Sequence, residues 1–358
     1  MTPPLQALVF REGQLSIINQ LLLPHVTVYE TIHGTEEGFA AIKEMKVRGA
    51  PAIALVAALS LATELHGLSF SASEEAVAYI HDKLQYLQGS RPTAVNLSNA
   101  IRDLSALVTS IASQSPQDII DAYISATVKM MDKDVRDNVN LGTLGAAWIL
   151  TTTTDTQLTV LTHCNTGSLA TAGYGTAIGV IHSLMSQHNL HHVYCTETRP
   201  YMQGARLTAY ELCYASIPTT LVCDSMVAAL FASRKVHAVV VGADRVARNG
   251  DTANKIGTMQ IALLARHFKV PFVVCAPWTT IDLDTACGTD IVIEERSSSE
   301  VKNVQGMHAS GEMVTVTVAD SSVNVWNPAF DVTPAEWIDA IVTDKRVYVK
   351  QDGVFTLN

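Results

Sequence analysis

Five short runs rich in β-branched residues, QLTVLTH, HHVYCTE, TTLVCD, VHAVVVGAD and PFVVCAP, end at or beside Cys164, Glu197, Asp224, Asp244 and Ala276. In an open parallel sheet, ligands bind outside the carboxyl ends of the strands, so these endings are where reactive groups belong. Cys164 precedes Asn165-Thr166-Gly167-Ser168, and a helix starting there would aim its N-terminal amides at the thiol, favouring anions and lowering the thiol pKa. Cysteine is also among the most buried residue types, so core filler stands as an equal reading. Asp244 ends its run as an aspartate that could bind a metal, act as general acid or base, or cap a turn. It opens GADRVARNGDTANKIGT, in which Asn254 and Lys255 lead into a helix predicted to begin near Ile256. Amide, ammonium and helix dipole together would suit a phosphate or sugar hydroxyls.

Two arginines extend the set. Arg48 in KVRGAPAIA and Arg91 in GSRPTAVNL each precede a helix start marked by glycine or proline, a geometry that lets guanidinium and amides hold one anion together. Singly each reads as solvated surface; in the same context twice, they favour the anion. Glu197 and Arg199 read as a structural ion pair. Gly173, Gly175 and Gly179 lie too far past their strand for a dinucleotide fingerprint and read as sites of close helix packing. His188, His191 and His192 fall on the opposite side, at the surface. No H-x-x-x-H, carboxylate triad or P-loop occurs, so no metal and no cofactor is expected.

The elements that must position these residues divide in two. LQALVF, QLSIIN and HVTVYE read as short strands. Helical periodicity follows in TEEGFAAIKEM and APAIALVAALSLATEL, from Ser73 to Leu87, from Thr93 to Ile111, and from Pro116 to about Val139 with Ser115 as N-cap. From Asp155 strands and helices alternate, with strands apolar on both faces as in a covered parallel sheet. NPAFDVTPAEWIDAIVT reads as a loop and a capped helix, ERSSSEV as a loop, and RVYVKQDGVFTLN as a closing hairpin turning at Asp352-Gly353. The predicted fold is α/β: an N-terminal domain of short strands and helices (1–139), then a C-terminal doubly wound, Rossmann-like parallel-sheet domain (140–358).

Composition bounds the function. Hydrophobic residues make up 48% and charged residues 16% of 358, enough for a sizeable interior. So little charge suggests that another subunit covers part of the exterior. The formal charge of −10 comes with no basic block, which argues against nucleic acid and anionic membrane as partners. Six cysteines without a C-x-x-C pair fit reduced thiols in a cytosolic enzyme. MTPPLQALVFREG lacks the pattern of a signal peptide. APAIALVAALSLA falls short of the roughly 20 residues of a membrane span, so a soluble, cytoplasmic protein is expected.

Taken together and in order, VRGAPAI, SRPTAVNL, HCNTGSLATAGYGTA, ETRPYMQGARLTAYEL, GADRVARNGDTANKIGT, EERSSSEV and NPAFDVTP resemble the methylthioribose-1-phosphate isomerase family of methionine salvage, over nearly the whole chain. That family is related to the regulatory subunits of initiation factor 2B and to ribose-1,5-bisphosphate isomerase. The resemblance implies isomerisation of 5-methylthioribose 1-phosphate to 5-methylthioribulose 1-phosphate, with catalysis by Cys164 and Asp244. It implies sugar-phosphate binding by Arg48, Gly49, Ala50, Arg91, Gln203, Asn254 and Lys255, no metal or cofactor, and a homodimer, cytoplasmic and also nuclear in a eukaryote. In the regulatory subunits the thiol is lost and the aspartate commonly becomes glutamate, so both residues here argue against a purely regulatory scaffold. A ribose-1,5-bisphosphate isomerase would need a second phosphate clamp, and no third basic cluster is present. The substrate's anomeric carbon is blocked by phosphate, so it cannot open spontaneously to an aldehyde. Asp244 would assist ring opening by proton exchange at the ring oxygen. Cys164 would relay a proton from C2 toward C1, with a hydride shift as the competing route.

Overall fold

The structure, a computed structural model, describes residues 5–92 and 94–358. It forms two compact units, the first running to Val139 and including Thr166–Gly175, the second comprising Asn140–Asn165 and Thr176–Asn358.

The first unit opens with β1 (Leu8–Arg11), β2 (Gln14–Ile18) and β3 (Tyr29–Ile32), an antiparallel sheet in that order. Four helices follow: α1 (Thr35–Lys43), α2 (Ala50–His66), α3 (Ser73–Gln88) and α4 (Val95–Ser110). Helix α2 is buried on nearly every side, as its unbroken apolar sequence requires. Thr93, where the sequence places the start of the fourth helix, lies outside the described residues. Helix α5 (Pro116–Thr151) starts as expected, with the Asp118 amide donating to Ser115 Oγ at 3.2 Å. It runs well past Val139, however. Its later turns bury Leu141, Ala146 and Ile149, and Gly142 and Gly145 do not break the helix but allow close packing: a Cβ on Gly142 would lie 2.6 Å from the carbonyl of Gly179.

Thr166–Gly175 is held inside the first unit by specific contacts. Gln20 Nε2 donates to the Leu169 carbonyl at 2.6 Å, and the Ala172 amide donates to Asp134 on α5 at 2.7 Å. Gly49, the residue before α2, lies so close to this segment that an added Cβ would come within 2.4 Å of the Ala170 carbonyl.

The second unit contains β4 (Leu158–Thr162), α6 (Ala177–Ser186), β5 (Leu190–Thr196), α7 (Ala209–Tyr214), β6 (Thr219–Val222), α8 (Val227–Ser233) and β7 (Ala238–Gly242). It continues with β8 (Arg245–Ala247), β9 (Thr252–Lys255), α9 (Thr258–Phe268), β10 (Phe272–Cys275), β11 (Ile281–Asp282), α10 (Ser299–Lys302), β12 (Asn303–Met307) and β13 (Met313–Thr317). It closes with β14 (Phe330–Thr333), β15 (Ala340–Val342) and β16 (Val347–Val349). The main sheet has the order β16-β15-β10-β7-β4-β5-β6, parallel except for β16. Every residue of β4, β7 and β10 is buried. Their side chains alternate between two clusters, with Val160, Val240 and Val273 on one face and Leu161, Val239 and Val274 on the other, as the twofold repeat of a strand demands.

Four expectations change. TTLV forms an edge strand rather than a central one, with Leu221 47% exposed. The segment read as a capped helix near the C-terminus instead supplies β14, a 3-10 turn at Ala335–Trp337 and β15, a sixth parallel strand buried beside β10. Short apolar runs do not distinguish helix from buried strand by periodicity, and here the open sheet edge decides. The serine-rich loop contains α10 and is followed by the hairpin β12–β13. A second sheet, β11-β8-β9-β14, was not foreseen. The closing turn does fall at Asp352-Gly353, both with positive φ and flanked by the Gln351–Val354 bridge.

Candidate active site

Counting outward from the first strand of the second unit, β6-β5-β4-β7-β10-β15 is the doubly wound order, in which the direction of winding reverses between β4 and β7. The two crossovers diverge there and leave a crevice at the carboxyl ends. Cys164 follows β4 and Asp244 follows β7, and these strands are direct neighbours, with Thr162 in register with Val240. The fold therefore brings these two residues to the same end of adjacent strands, at the switch point.

The surroundings of Cys164 differ from the expected helix start. No α-helix begins until Ala177. The cysteine sits instead in the left-handed region at φ 66, partly exposed, with its amide donating to Thr198 Oγ1 at 3.0 Å and its carbonyl accepting from the Thr208 hydroxyl. A non-glycine residue in that region is uncommon and must be held by its surroundings. The holding groups come from the end of β5 and the turn after it. Asp224, at the end of β6, accepts the Thr198 and Arg199 amides at 2.8 and 2.7 Å and so shapes that turn. Arg199 does not pair with Glu197; its guanidinium donates to the carbonyls of Pro200 and Val301. Gln203 is 1% exposed, immediately before the π-helical turn Gly204–Thr208 that leads into α7. Such turns recur at functional sites.

A buried histidine escaped the sequence reading. His163 is 1% exposed, with Nδ1 2.5 Å from Thr196 Oγ1 and Nε2 3.0 Å from the Ile256 carbonyl. Burial pushes its pKa down and keeps it neutral, against the pull of the Asp224 charge. The only sequence signal was its place, one residue before Cys164 at a strand end.

Asn254 and Lys255 do not stand at a helix N-terminus. They lie on β9, antiparallel to β14, with Asn254 opposite Asp331. Both are buried, Asn254 donating to Thr258 Oγ1 at 3.1 Å and Lys255 Nζ to the Ala329 carbonyl at 2.7 Å, above the Phe330 ring at 4.6 Å. The N-terminus of α9 is occupied by Asp331, which accepts the Gly257 and Met259 amides at 2.7 and 3.0 Å. Burial pushes the Asp331 carboxyl up to about 6 despite those bonds. The cation is thus carried by a strand rather than a helix start, and the helix dipole is already satisfied by Asp331.

In the first unit Arg48 and Gly49 directly precede α2, with Ala50 its first residue and Pro51 in its first turn, as expected. Arg91 lies within the α3–α4 connection, its carbonyl accepting the Ala94 amide at 3.0 Å. Both arginines are partly exposed. None of the six cysteines forms a disulfide; Cys195 and Cys275 are buried in strands as expected, but Cys213 is exposed on α7.

Comparison with known proteins gives one answer. Residues 46–348 match the Initiation factor 2 subunit family. The methylthioribose-1-phosphate isomerase of Aspergillus terreus is 55% identical over 371 residues, covering 99% of this chain and 98% of its own. That of Nematostella vectensis is 52% identical, covering 97% of each. The crystal structure of 5-methylthioribose 1-phosphate isomerase from Pyrococcus horikoshii superposes with a TM-score of 0.88 at 36% identity, over 97% of this chain and 93% of that one. The structure of the translation initiation factor eIF-2B delta subunit from A. fulgidus superposes at 0.81 with 34% identity, over 96% of each. With half or more of its residues shared with curated isomerases along its full length, the chain belongs to the methylthioribose-1-phosphate isomerase family, a branch of the Initiation factor 2 subunit family.

Proposed function

We propose that Cys164 and Asp244 are the reacting pair of a methylthioribose-1-phosphate isomerase acting in methionine salvage. Asp244, in its acid form, protonates the ring oxygen as the bond from C1 to that oxygen breaks. The Cys164 thiolate takes the hydrogen of C2 as a proton and returns it to C1. The 2-hydroxyl then gives its proton to the Asp244 carboxylate, leaving a C2 carbonyl, with no redox partner needed. A thiol suits the two-way transfer because its ordinary pKa lies near working pH. The observation that carries this reading is the placement of both residues at the switch point of the sheet, on neighbouring strands.

Arg48, Gly49, Ala50, Arg91, Gln203, Asn254 and Lys255 bind the sugar phosphate. Buried position and fixed hydrogen bonds support Lys255 as a preorganised cation, which costs little ordering when an anion arrives. A homodimer is supported by the low charged fraction of 16%, and a cytoplasmic location by six cysteines that form no disulfide.

The test supplies methylthioribose 1-phosphate in the presence of a chelator and follows ketose formation by the wild type, Cys164→Ser and Asp244→Asn. Turnover by the wild type and a loss of about 10²- to 10⁴-fold in kcat in each variant is expected. An indifferent Cys164→Ser would remove the catalytic assignment, and absence of wild-type turnover would remove the reaction.

A further inference from the structure

The proton on the imidazole behind Cys164 is placed by one fact. The Ile256 carbonyl can only accept, so His163 Nε2 carries the proton and donates across 3.0 Å. A neutral imidazole then has a bare Nδ1, which accepts from the Thr196 hydroxyl at 2.5 Å. Thr196 Oγ1, having given its proton away, is an acceptor for the Thr198 hydroxyl at 3.3 Å, which also has the Thr196 carbonyl at 3.4 Å and His163 Nδ1 at 3.5 Å within reach. Thr198 Oγ1 in turn accepts the Cys164 amide at 3.0 Å. The result is a connected hydrogen-bond network from the Cys164 backbone through two threonines and the imidazole to Ile256, the residue after Lys255.

We infer that His163 is a positioning residue for the isomerase reaction, fixing through Thr196 and Thr198 the left-handed backbone of Cys164 and, through Ile256, the end of the strand that carries Lys255. The inference rests on the assignment of Cys164 and Lys255 above. A residue held at φ 66 relaxes to a different thiol direction once its amide loses its acceptor, and a displacement of about 1 Å at a reacting group costs on the order of 10²-fold in rate. The histidine is suited to this role because it alone offers a donor and an acceptor on opposite sides of one rigid ring, and because burial keeps it neutral. A charged imidazole would present a second donor to Thr196 and reverse that bond.

Two pairs of variants test this. Thr198→Val removes the acceptor of the Cys164 amide and Thr198→Ser restores it; His163→Leu removes both ring contacts, and His163→Gln offers an amide donor to Ile256 with a carbonyl acceptor for Thr196. Thr198→Val should lower kcat about 10²-fold with KM changed by less than about threefold, whereas His163→Leu should lower kcat and also raise KM. The serine and glutamine variants should recover to within about tenfold of wild type. A second readout needs no substrate: the iodoacetamide alkylation rate of Cys164, measured by mass spectrometry against exposed Cys213 as internal reference, should change in Thr198→Val and His163→Leu and return in the rescue variants. Should His163→Leu fail to fold, the Thr198 pair decides alone. Unchanged kcat and alkylation in Thr198→Val, or a Thr198→Ser variant as impaired as Thr198→Val, overturns the inference. Loss of wild-type turnover with the alkylation pattern intact would instead sink only the assigned reaction.

Discussion

Adding one methyl group at Gly204 is expected to damage both stability and turnover. The Cβ of Gly204→Ala would lie 1.7 Å from the carbonyl oxygen of Thr196 and 2.8 Å from Thr198 Oγ1, whereas Cβ contacts under 3.0 Å essentially never occur. The opposing atom is backbone of a central strand, so the start of the π-helical turn must retreat by more than 1 Å. That movement strains two bonds, the Ala205 amide to the Glu197 carbonyl at 3.2 Å and the Thr208 hydroxyl to the Cys164 carbonyl. Overpacking costs about 1–3 kcal/mol and each lost hydrogen bond about 1 kcal/mol, so a loss of roughly 3–5 kcal/mol is expected. Because Thr208 and Thr198 both hold Cys164, kcat should fall by on the order of 10². The control is Gly306→Ala on β12, the same chemical change where nothing lies within 4 Å of the new Cβ; it should stay within about 0.5 kcal/mol of wild type. Urea unfolding followed by far-ultraviolet circular dichroism gives the stabilities, and ketose formation gives the rates. A Gly204→Ala protein within about 1 kcal/mol of wild type, or a Gly306→Ala protein equally damaged, would refute the reasoning.

Turnover in deuterated water should place solvent deuterium at C1 of the product, read by proton NMR; full retention of the substrate hydrogen would replace the thiol relay by a hydride shift. Burial works to raise the Glu64 carboxyl, but bonds from the Thr35 amide, the Tyr79 hydroxyl and Lys83 outweigh it and bring its pKa down to about 2. Its contribution is therefore full above the unfolded value of 4.5 and lost as pH falls toward 2, worth up to about 3 kcal/mol. Glu64→Gln should flatten that part of the stability curve measured by urea unfolding. Asp134 has the opposite sign, since burial pushes it up to about 6 from 3.8. Its contribution to stability should be greatest below 3.8 and decline as pH rises through 6, by up to about 3 kcal/mol. Asp134→Asn, which keeps an acceptor for the Ala172 amide, should abolish that decline.

What could be read in advance was what local chemistry dictates. Runs such as VHAVVVGAD admit few structures, because β-branched residues without polar interruption must be buried on both faces, and a strand's end is where its polar successor meets solvent. Cys164 and Asp244 were therefore legible as strand-end residues. TANK was not legible as a strand, since it has neither alternation nor β-branched runs, and β9 exists only through its pairing with β8 and β14. The same holds for β15, whose three apolar residues suit a helix equally until the free edge of β10 is known. His163 and Asp331 act through partners 93 and 74 residues away in sequence, a separation at which no spacing rule operates.

The excursion of Thr166–Gly175 into the first unit also sets an order on biosynthesis. The chain passes between the units three times, after Val139, after Asn165 and after Gly175. Neither unit is encoded by an uninterrupted stretch, so no single cut in the gene yields either one whole. On the ribosome, where domains generally fold as they emerge, the first unit must wait with Gly49 and Asp134 uncovered until Thr166–Gly175 has been made.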